Sequence, residues 1–365
     1  MFDKQQIIDA LRTVADPLTG NDIIQSRLVE NLVTNDETQQ IRFELMLTSA
    51  HAQFKSTLNF TCMTVIGRIY PDADVHIHVN TKIADNSQTD KILPQVRNII
   101  AVASGKGGVG KSTVAVNLAL GLKELGARVG LIDADLYGPS LPTMFGLEGA
   151  RPKIQDVEGK AMLVPVEKFG IPTMSIGYII DPEQAVVLRG PRLGGIIKQF
   201  FQDCLWPALD FLILDLPPGT GDIHLSLVQT VPVTGVVMVT TPQAVALADA
   251  IKGANMFMLP NVNVPILGVV ENMSWFSPAE LPDNKYYLFG KDGGKALAKR
   301  TNSVLLGQVP IVQSIREGGD AGLPAILGDE PQTKAAFLQI AQNVARQVAI
   351  RNEFLEPSKA VEMKN

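Results

Sequence analysis

Cysteine is almost absent. The 365 residues contain two, Cys62 and Cys204, too few for a disulfide framework. Long apolar runs are missing as well. None reaches the about 18 residues that a spanning helix needs. The longest candidate, 231–251, is interrupted by Pro232, Pro242 and Asp249 and reads as a buried strand followed by a helix. No stable membrane insertion is therefore expected. Positive charge is not in excess: 32 Lys and Arg stand against 37 Asp and Glu, for a net charge of −5. Without a broad basic field, no nucleic-acid partner is expected. The amino-terminal MFDKQQIIDALRTV spaces its apolar residues as a helix does and lacks an apolar signal core, so a cytoplasmic protein is the expectation. What the chain does have is length and a 46% hydrophobic content, enough for one large α/β domain and a small one.

Residues 1–80 read as a small α+β domain. A helix over 4–14 is followed by a turn at 16–20, a strand near 41–48, a helix over 54–69 and a strand at 74–79. Residues 81–98 are polar, lack apolar periodicity and suit a linker. From Ile99 the pattern alternates strand and helix, with strands expected at 99–103, 128–132, 171–176, 211–214, 235–240, 266–270 and 304–309. These runs are apolar on both faces, as in a buried parallel sheet. The expected fold is a P-loop NTPase of class α/β over 99–350, its mostly parallel sheet flanked by helices. An amphipathic helix over 333–350 is expected to pack on this body rather than on a membrane, leaving 351–365 as a tail.

The most informative stretch is Gly105-Lys106-Gly107-Gly108-Val109-Gly110-Lys111-Ser112-Thr113. An apolar strand leads in and a helical run follows, the setting of a phosphate-binding loop. The glycines let the backbone curl with its N–H groups inward, and the helix aims its positive end at the same point. Lys111 adds a charge for the β- and γ-phosphates of ATP, and Ser112 offers a hydroxyl to Mg²⁺. All nine residues are candidates for nucleotide contact. Phe211-Leu-Ile-Leu-Asp215 ends a strand in a carboxylate suited to the Mg²⁺ shell, and the rigid Leu-Pro-Pro-Gly-Thr-Gly-Asp222 after it suits a γ-phosphate sensor. Leu131-Ile-Asp133-Ala-Asp135 ends another strand. Asp135 is the candidate for positioning the attacking water and Asp133 for supporting the metal site. Asn272, where a strand leaves the sheet, could read the adenine edge or be a plain turn residue.

Lys106, directly after the first glycine, makes GKGGVGKST resemble the deviant Walker A loop of the MinD/ParA-type ATPases. That resemblance implies that Lys106 reaches the nucleotide of a facing subunit in a homodimer. The motifs DADLYGPSLPTMFG (133–146), LRGPRLGGIIKQF (188–200), LDLPPGTGDIHLSL (214–227), GVVENMSWF (268–276) and LFGKDGGKALA (288–298) carry a closer likeness, spanning nearly the whole chain, to the Mrp/ApbC family of iron–sulfur cluster carrier ATPases. The small amino-terminal domain is similar to the one that precedes many of them. The resemblance implies ATP hydrolysis by a homodimer, with Lys106, Lys111 and Asp135 catalytic and Ser112 and Asp215 on the metal. It also implies transfer of iron–sulfur clusters to apoproteins, with upstream assembly proteins as further partners.

One departure stands out. Family members usually carry a Cys-x-x-Cys pair shortly after the ENMS motif. Here Ser277 and Glu280 fall about there, and Ala52 stands where the small domain usually has its cysteine. Serine and carboxylate oxygens are poor substitutes for thiolates on iron. Cys62 and Cys204 read as small buried hydrophobes, and His76 and His78 as the polar face of a strand rather than metal ligands. Two readings follow: a cluster carrier with unusual or supplied ligands, or a regulatory ATPase dimer that switches a protein partner without a cluster.

Overall fold

The computed structural model describes residues 2–17, 20–26, 28–36, 38–47, 54–71, 73–81, 93–135, 138–179, 190–278, 280–281 and 284–361. Ala52 and Tyr137 lie outside them. The chain divides into two compact units, Met1–Thr89 with Glu353–Leu355, and Asp90–Asn352 with Glu356–Asn365.

The small unit is decided by strict alternation in one strand. In β2 (Gln40–Leu47) Ile41, Phe43, Leu45 and Leu47 are buried. They pack on Ile7 and Leu11 of α1 (Lys4–Leu11) and on Leu58, Cys62 and Ile66 of α2 (Lys55–Ile69). The Asp3 side chain caps α1 by accepting the Gln5 N–H. β2 pairs antiparallel with β1 (Val29–Asn35) and parallel with β3 (Asp74–Thr81), with α2 as the crossover. β1 is absent from the sequence reading for a physical reason. Asn31 takes a left-handed φ of 54°, and the register shifts between Glu30 and Val33, so the alternation is broken by a bulge.

The large unit is built on an eight-stranded sheet. Its elements in chain order are β4 (Val96–Ala103), α3 (Lys111–Glu124), β5 (Val129–Asp133), α4 (Leu141–Met144), β6 (Lys153–Val157), β7 (Lys160–Val164), β8 (Val166–Lys168), β9 (Ile171–Ser175), α5 (Gly190–Gln202), β10 (Leu209–Asp215), α6 (Asp222–Thr230), β11 (Gly235–Thr240), α7 (Ala244–Phe257), β12 (Ile266–Glu271), α8 (Gly293–Arg300), β13 (Leu305–Gln308), α9 (Gln313–Asp320) and α10 (Pro331–Phe354). The sheet order is β13-β12-β11-β4-β10-β5-β9-β8. All neighbours run parallel except the edge pair β8 and β9. β6 and β7 form a separate exposed hairpin.

The central strands are buried on both faces, as their unbroken apolar runs require. Ile99, Ala101, Leu212, Leu214 and Met238 face a layer that includes Phe200, Leu227 and Phe257. Ile100, Val102, Ile213 and Val237 face Leu118 of α3 and Phe337, Ile340 and Val344 of α10. α10 therefore packs on the ATPase body, and it runs to Phe354, into the segment expected to be tail. β4 begins at Val96, inside the stretch that reads as linker. There the polar Asn98 is satisfied by the Asp210 carbonyl and the Asn352 side chain, at 2.9 and 2.8 Å. Among the described residues no helix is long and apolar enough to cross a membrane.

This order places the site. β10 inserts between β4 and β5, so Asp215 lies opposite Val102 on one side and Asp133 on the other. The chain leaves β4 toward β5 and later returns to β11 on the opposite flank. The carboxyl ends around β4 are thus a switch point, where α/β sheets hold ligands.

Candidate nucleotide site

The chain leaves β4 at Ala103 and enters α3 at Lys111 through the loop 105–110. Two glycines have no substitute here. A Cβ on Gly105 would sit 2.1 Å from the backbone carbon of Asp249 in α7. Gly110, at φ +80°, would place one 2.1 Å from the Asn272 amide nitrogen. Lys106, Gly107 and Gly108 are exposed at the rim, while the Val109 side chain is buried in the core and offers only its backbone to the loop. Ser112 and Thr113 lie in the first turn of α3, whose leading N–H groups have no helical acceptor.

Lys111 is the hub. Only 6% exposed, its Nζ lies 2.6 Å from Asp215 Oδ1, 3.2 Å from Ser112 Oγ and 3.5 Å from Asp135 Oδ2. Burial alone would lower the ammonium's pKa. Asp215, then Asp135 and Asp133, outweigh it and hold it above its ordinary value, so it stays a cation. Burial also raises Asp215, against the opposing pull of Lys111 and of a Ser112 hydrogen bond. For Asp133, burial and then repulsion from Asp215 push the carboxyl up to about 7, against N–H donors from Leu141 and Asp135 and the Lys111 charge. The sequence-predicted residues Lys111, Ser112, Asp133, Asp135 and Asp215 are thus brought together.

Asp133 has a further set of bonds. Its carboxylate accepts the Asp135 N–H at 3.0 Å, the Leu141 N–H at 3.1 Å and the Ser175 hydroxyl at 3.1 Å. It ties the strand end to the segment that enters α4, and so holds Asp135 near Lys111. Asn272, the candidate for the adenine edge, lies beside the loop and is buried. Its amide donates to the Val109 carbonyl at 2.8 Å, bracing the loop. A shallow cleft beside the loop is lined by Lys106, Gly107, Thr241, Gln243, Met273 and Phe289.

The turn after Asp215 is tied to the loop. Gly219 N–H donates to the Ser104 carbonyl at 2.9 Å, and the Ser104 hydroxyl donates to the Lys106 carbonyl at 3.0 Å. Sequence reasoning passed over His224, which is 1% exposed and faces this turn. The only signal was its place in the first turn of a helix directly after the Pro-Pro-Gly-Thr-Gly run.

Where a Cys-x-x-Cys pair would fall, the chain forms an aromatic strap. Phe276 and Tyr286 exchange backbone hydrogen bonds at 2.9 and 2.8 Å, and Lys285 stacks on Trp275 at 4.1 Å. Ser277 is half-buried and Glu280 exposed. Cys62 and Cys204 are buried free thiols in different units, and burial pushes each up to about 12. His76 bonds to Asp74 at 2.8 Å on the exposed face of β3. Among the described residues no group of three or more His, Cys, Asp or Glu is arranged to hold a metal ion.

Residues 95–345 match the model of the NUBPL iron-transfer P-loop NTPase family. The chain belongs to that family. Residues 4–70 match the iron–sulfur cluster assembly protein family. An iron–sulfur cluster carrier protein of Synechocystis sp. is 43% identical over 96% of this chain and 99% of its own length. A nucleotide-binding protein from Archaeoglobus fulgidus, solved in complex with ADP, superposes with a TM-score of 0.56 at 34% identity, covering 67% of this chain and 94% of its own. The cell division ATPase MinD of Pyrococcus furiosus shares the fold at a TM-score of 0.50 and 24% identity, covering 68% of this chain and 99% of its own. The P-loop fold and the likeness to cluster-carrier ATPases expected from the motifs are both borne out. The match over residues 4–70 bears out the likeness expected for the small domain as well.

Proposed function

We propose that this protein is an ATP-hydrolysing iron–sulfur cluster carrier that works as a homodimer in the cytoplasm and passes clusters to apoproteins. The observation that carries the reading is the buried Lys111, held between Asp215 and Asp135 at the mouth of the loop. A cation so placed moves a short distance from carboxylates to phosphates when ATP enters the loop. The backbone N–H groups of 105–113 and the start of α3 surround the phosphates. Lys111 then bonds the β- and γ-oxygens, a charge-assisted contact in a dry site.

The donor set fits Mg²⁺. Ser112 and Asp215 are hydrogen-bonded neighbours, both offer hard oxygens, and Mg²⁺ takes few protein ligands when phosphates supply the rest. When bound there, the ion neutralises charge on the β- and γ-oxygens. Asp133 supports this shell indirectly, through its bonds to the Asp135 and Leu141 backbone. Asp135 orients the water that attacks the γ-phosphorus, and the phosphoanhydride bond to the β-phosphate breaks as the new P–O bond forms. Lys106, exposed at the rim, stabilises the nucleotide of the facing subunit.

The cargo is the less direct half of the reading. Iron–sulfur clusters are held by thiolates, and Cys62 and Cys204 are buried thiols far from ionised at neutral pH. They do not fit a cluster site. That observation favours a second reading, a dimeric ATPase that switches a protein partner and carries no cluster. Anaerobic reconstitution with iron and sulfide, followed by iron counting, a visible spectrum and transfer to an apoprotein, separates the two. The carrier reading expects transferable iron and sulfide that depend on the folded protein. The switch reading expects no cluster under any condition.

A further inference from the structure

The imidazole of His224 has a task that the proposed mechanism does not use. It lies in α6, edge-on to Phe257 of α7 with ring centres 6.1 Å apart. Its two nitrogens face two carbonyls of one turn: Nε2 is 3.0 Å from Pro217 O, and Nδ1 is 3.3 Å from Gly221 O. Carbonyls only accept, and a neutral imidazole has a single N–H. The Gly221 oxygen already takes the His224 backbone N–H at 3.1 Å. Among the described residues no backbone N–H reaches the Pro217 oxygen. A buried carbonyl needs a donor, so the ring proton belongs on Nε2. Burial holds the ring neutral, below its ordinary pKa, although both carbonyls pull the other way.

The turn so held, 217–221, touches the parts that matter. It begins two residues after Asp215. Its Gly219 N–H is bonded to Ser104 at the loop entry, and a Cβ on Gly107 would lie 3.9 Å from the Pro218 ring. Two consecutive prolines remove two backbone donors from the turn; its flanks are tied by the Leu216 N–H to the Val102 carbonyl and the Gly219 N–H to the Ser104 carbonyl, and the Pro217 carbonyl between them faces the His224 ring. We propose that His224, as its Nε2–H tautomer, is a positioning residue for ATP hydrolysis: it pins the Pro217 end of the turn and thereby sets Asp215 and the loop entry against the nucleotide. The inference rests on the reading of 105–113 as the ATP site.

The test uses the full chain with three substitutions, His224→Leu, His224→Gln and His224→Asn. Each is measured by steady-state ATP hydrolysis, by calorimetric ATP binding and by thermal melting. His224→Leu should lower kcat by about ten- to a hundredfold, the effect of a small misplacement, and leave ATP affinity within about threefold of wild type. His224→Gln should restore most of kcat, because its amide N–H reaches the Pro217 carbonyl as Nε2 does. His224→Asn, one methylene shorter, should not. Should His224→Leu fail to fold, the Gln and Asn pair carries the comparison. Nitrogen NMR of the wild-type ring should show a neutral Nε2–H tautomer. Wild-type kcat in His224→Leu, a loss that Gln does not rescue, or an Nδ1–H ring would overturn the proposal. Lys111→Ala is run in parallel. If that variant binds ATP like wild type, the ATP-site reading itself has failed, and this inference falls with it.

Discussion

Two loops leave the same end of the sheet, one after β4 and one after β12, and they differ in kind. The first is built from backbone: glycines that admit no Cβ, N–H groups at the start of a helix, and one buried lysine among carboxylates. Phosphate recognition of this sort needs fixed residue types at fixed spacing, and Gly105 and Gly110 leave no room for a side chain. The second loop, after Asn272, holds a lysine over Trp275 and a backbone bridge where relatives are expected to hold thiols. Its Phe276, Tyr286 and Leu288 remain exposed. Within one chain, the first loop gathers Lys111, Ser112, Asp135 and Asp215, while Ser277 and Glu280 stand where the resemblance implies a cysteine pair. The proposed function therefore predicts that ATP chemistry and cluster binding can be separated on this scaffold.

The largest expected effect that sharpens this contrast is at Lys111. Lys111→Ala removes the cation from a site with three buried carboxylates. Truncating one partner of a buried ion pair costs about 3–5 kcal/mol, so melting should shift down by many degrees. ATP affinity measured by calorimetry should fall by about tenfold to a hundredfold, the worth of a charge-assisted bond. Retained affinity would remove the loop from the nucleotide reading.

A smaller and more selective effect is expected at Lys106, which is exposed and has no part in the Lys111 cluster. Lys106→Ala should keep stability and most ATP affinity but lose hydrolysis. Mixing it with Asp135→Ala subunits should regain activity, because a mixed dimer contains one complete composite site. No recovery despite proven subunit exchange would show that Lys106 does not act across subunits.

The smallest effect is in pH. In the folded protein Asp133 titrates at about 7, above the ordinary carboxylate range of the unfolded chain. A raised acid binds its proton more tightly when folded. It therefore favours the folded state at low pH, and that contribution is lost as pH rises from the ordinary carboxylate range through about 7. Nucleotide-free protein should melt lower at pH 8 than at pH 6, and saturating Mg²⁺ and ATP should narrow the gap. A gap of the same size with nucleotide bound would show that the carboxylate cluster is not where the ligand charge goes.

The loop 105–113, the strand ends at Asp133 and Asp215 and the buried sheet were all legible because each follows from period, spacing and residue type. Other features were hidden by contacts that only the fold creates. β1 escaped because its bulge at Asn31 breaks the alternation. The β6–β7 hairpin escaped because β6 is exposed throughout and carries no one-sided apolar pattern. Asn98 looked like linker because its polar side chain is satisfied by residues more than a hundred positions away. Asn272 and His224 gave no local sign of their partners. Val109 is brought to Asn272 by the order of the strands across 163 positions, and Pro217 to His224 by a seven-residue turn whose shape is not encoded in an apolar period.

The separation of ATP chemistry from cluster binding is tested most directly by one paired measurement. Wild type and the Cys62→Ala, Cys204→Ala double variant are reconstituted anaerobically with iron and sulfide. Bound iron after chelator challenge and ATP affinity are then read on the same samples. ATP affinity should be equal in the two proteins, and any cluster should be labile to the chelator in both. A stable, stoichiometric cluster in wild type that disappears in the double variant would contradict the account, since it would show that the buried thiols are the missing ligands.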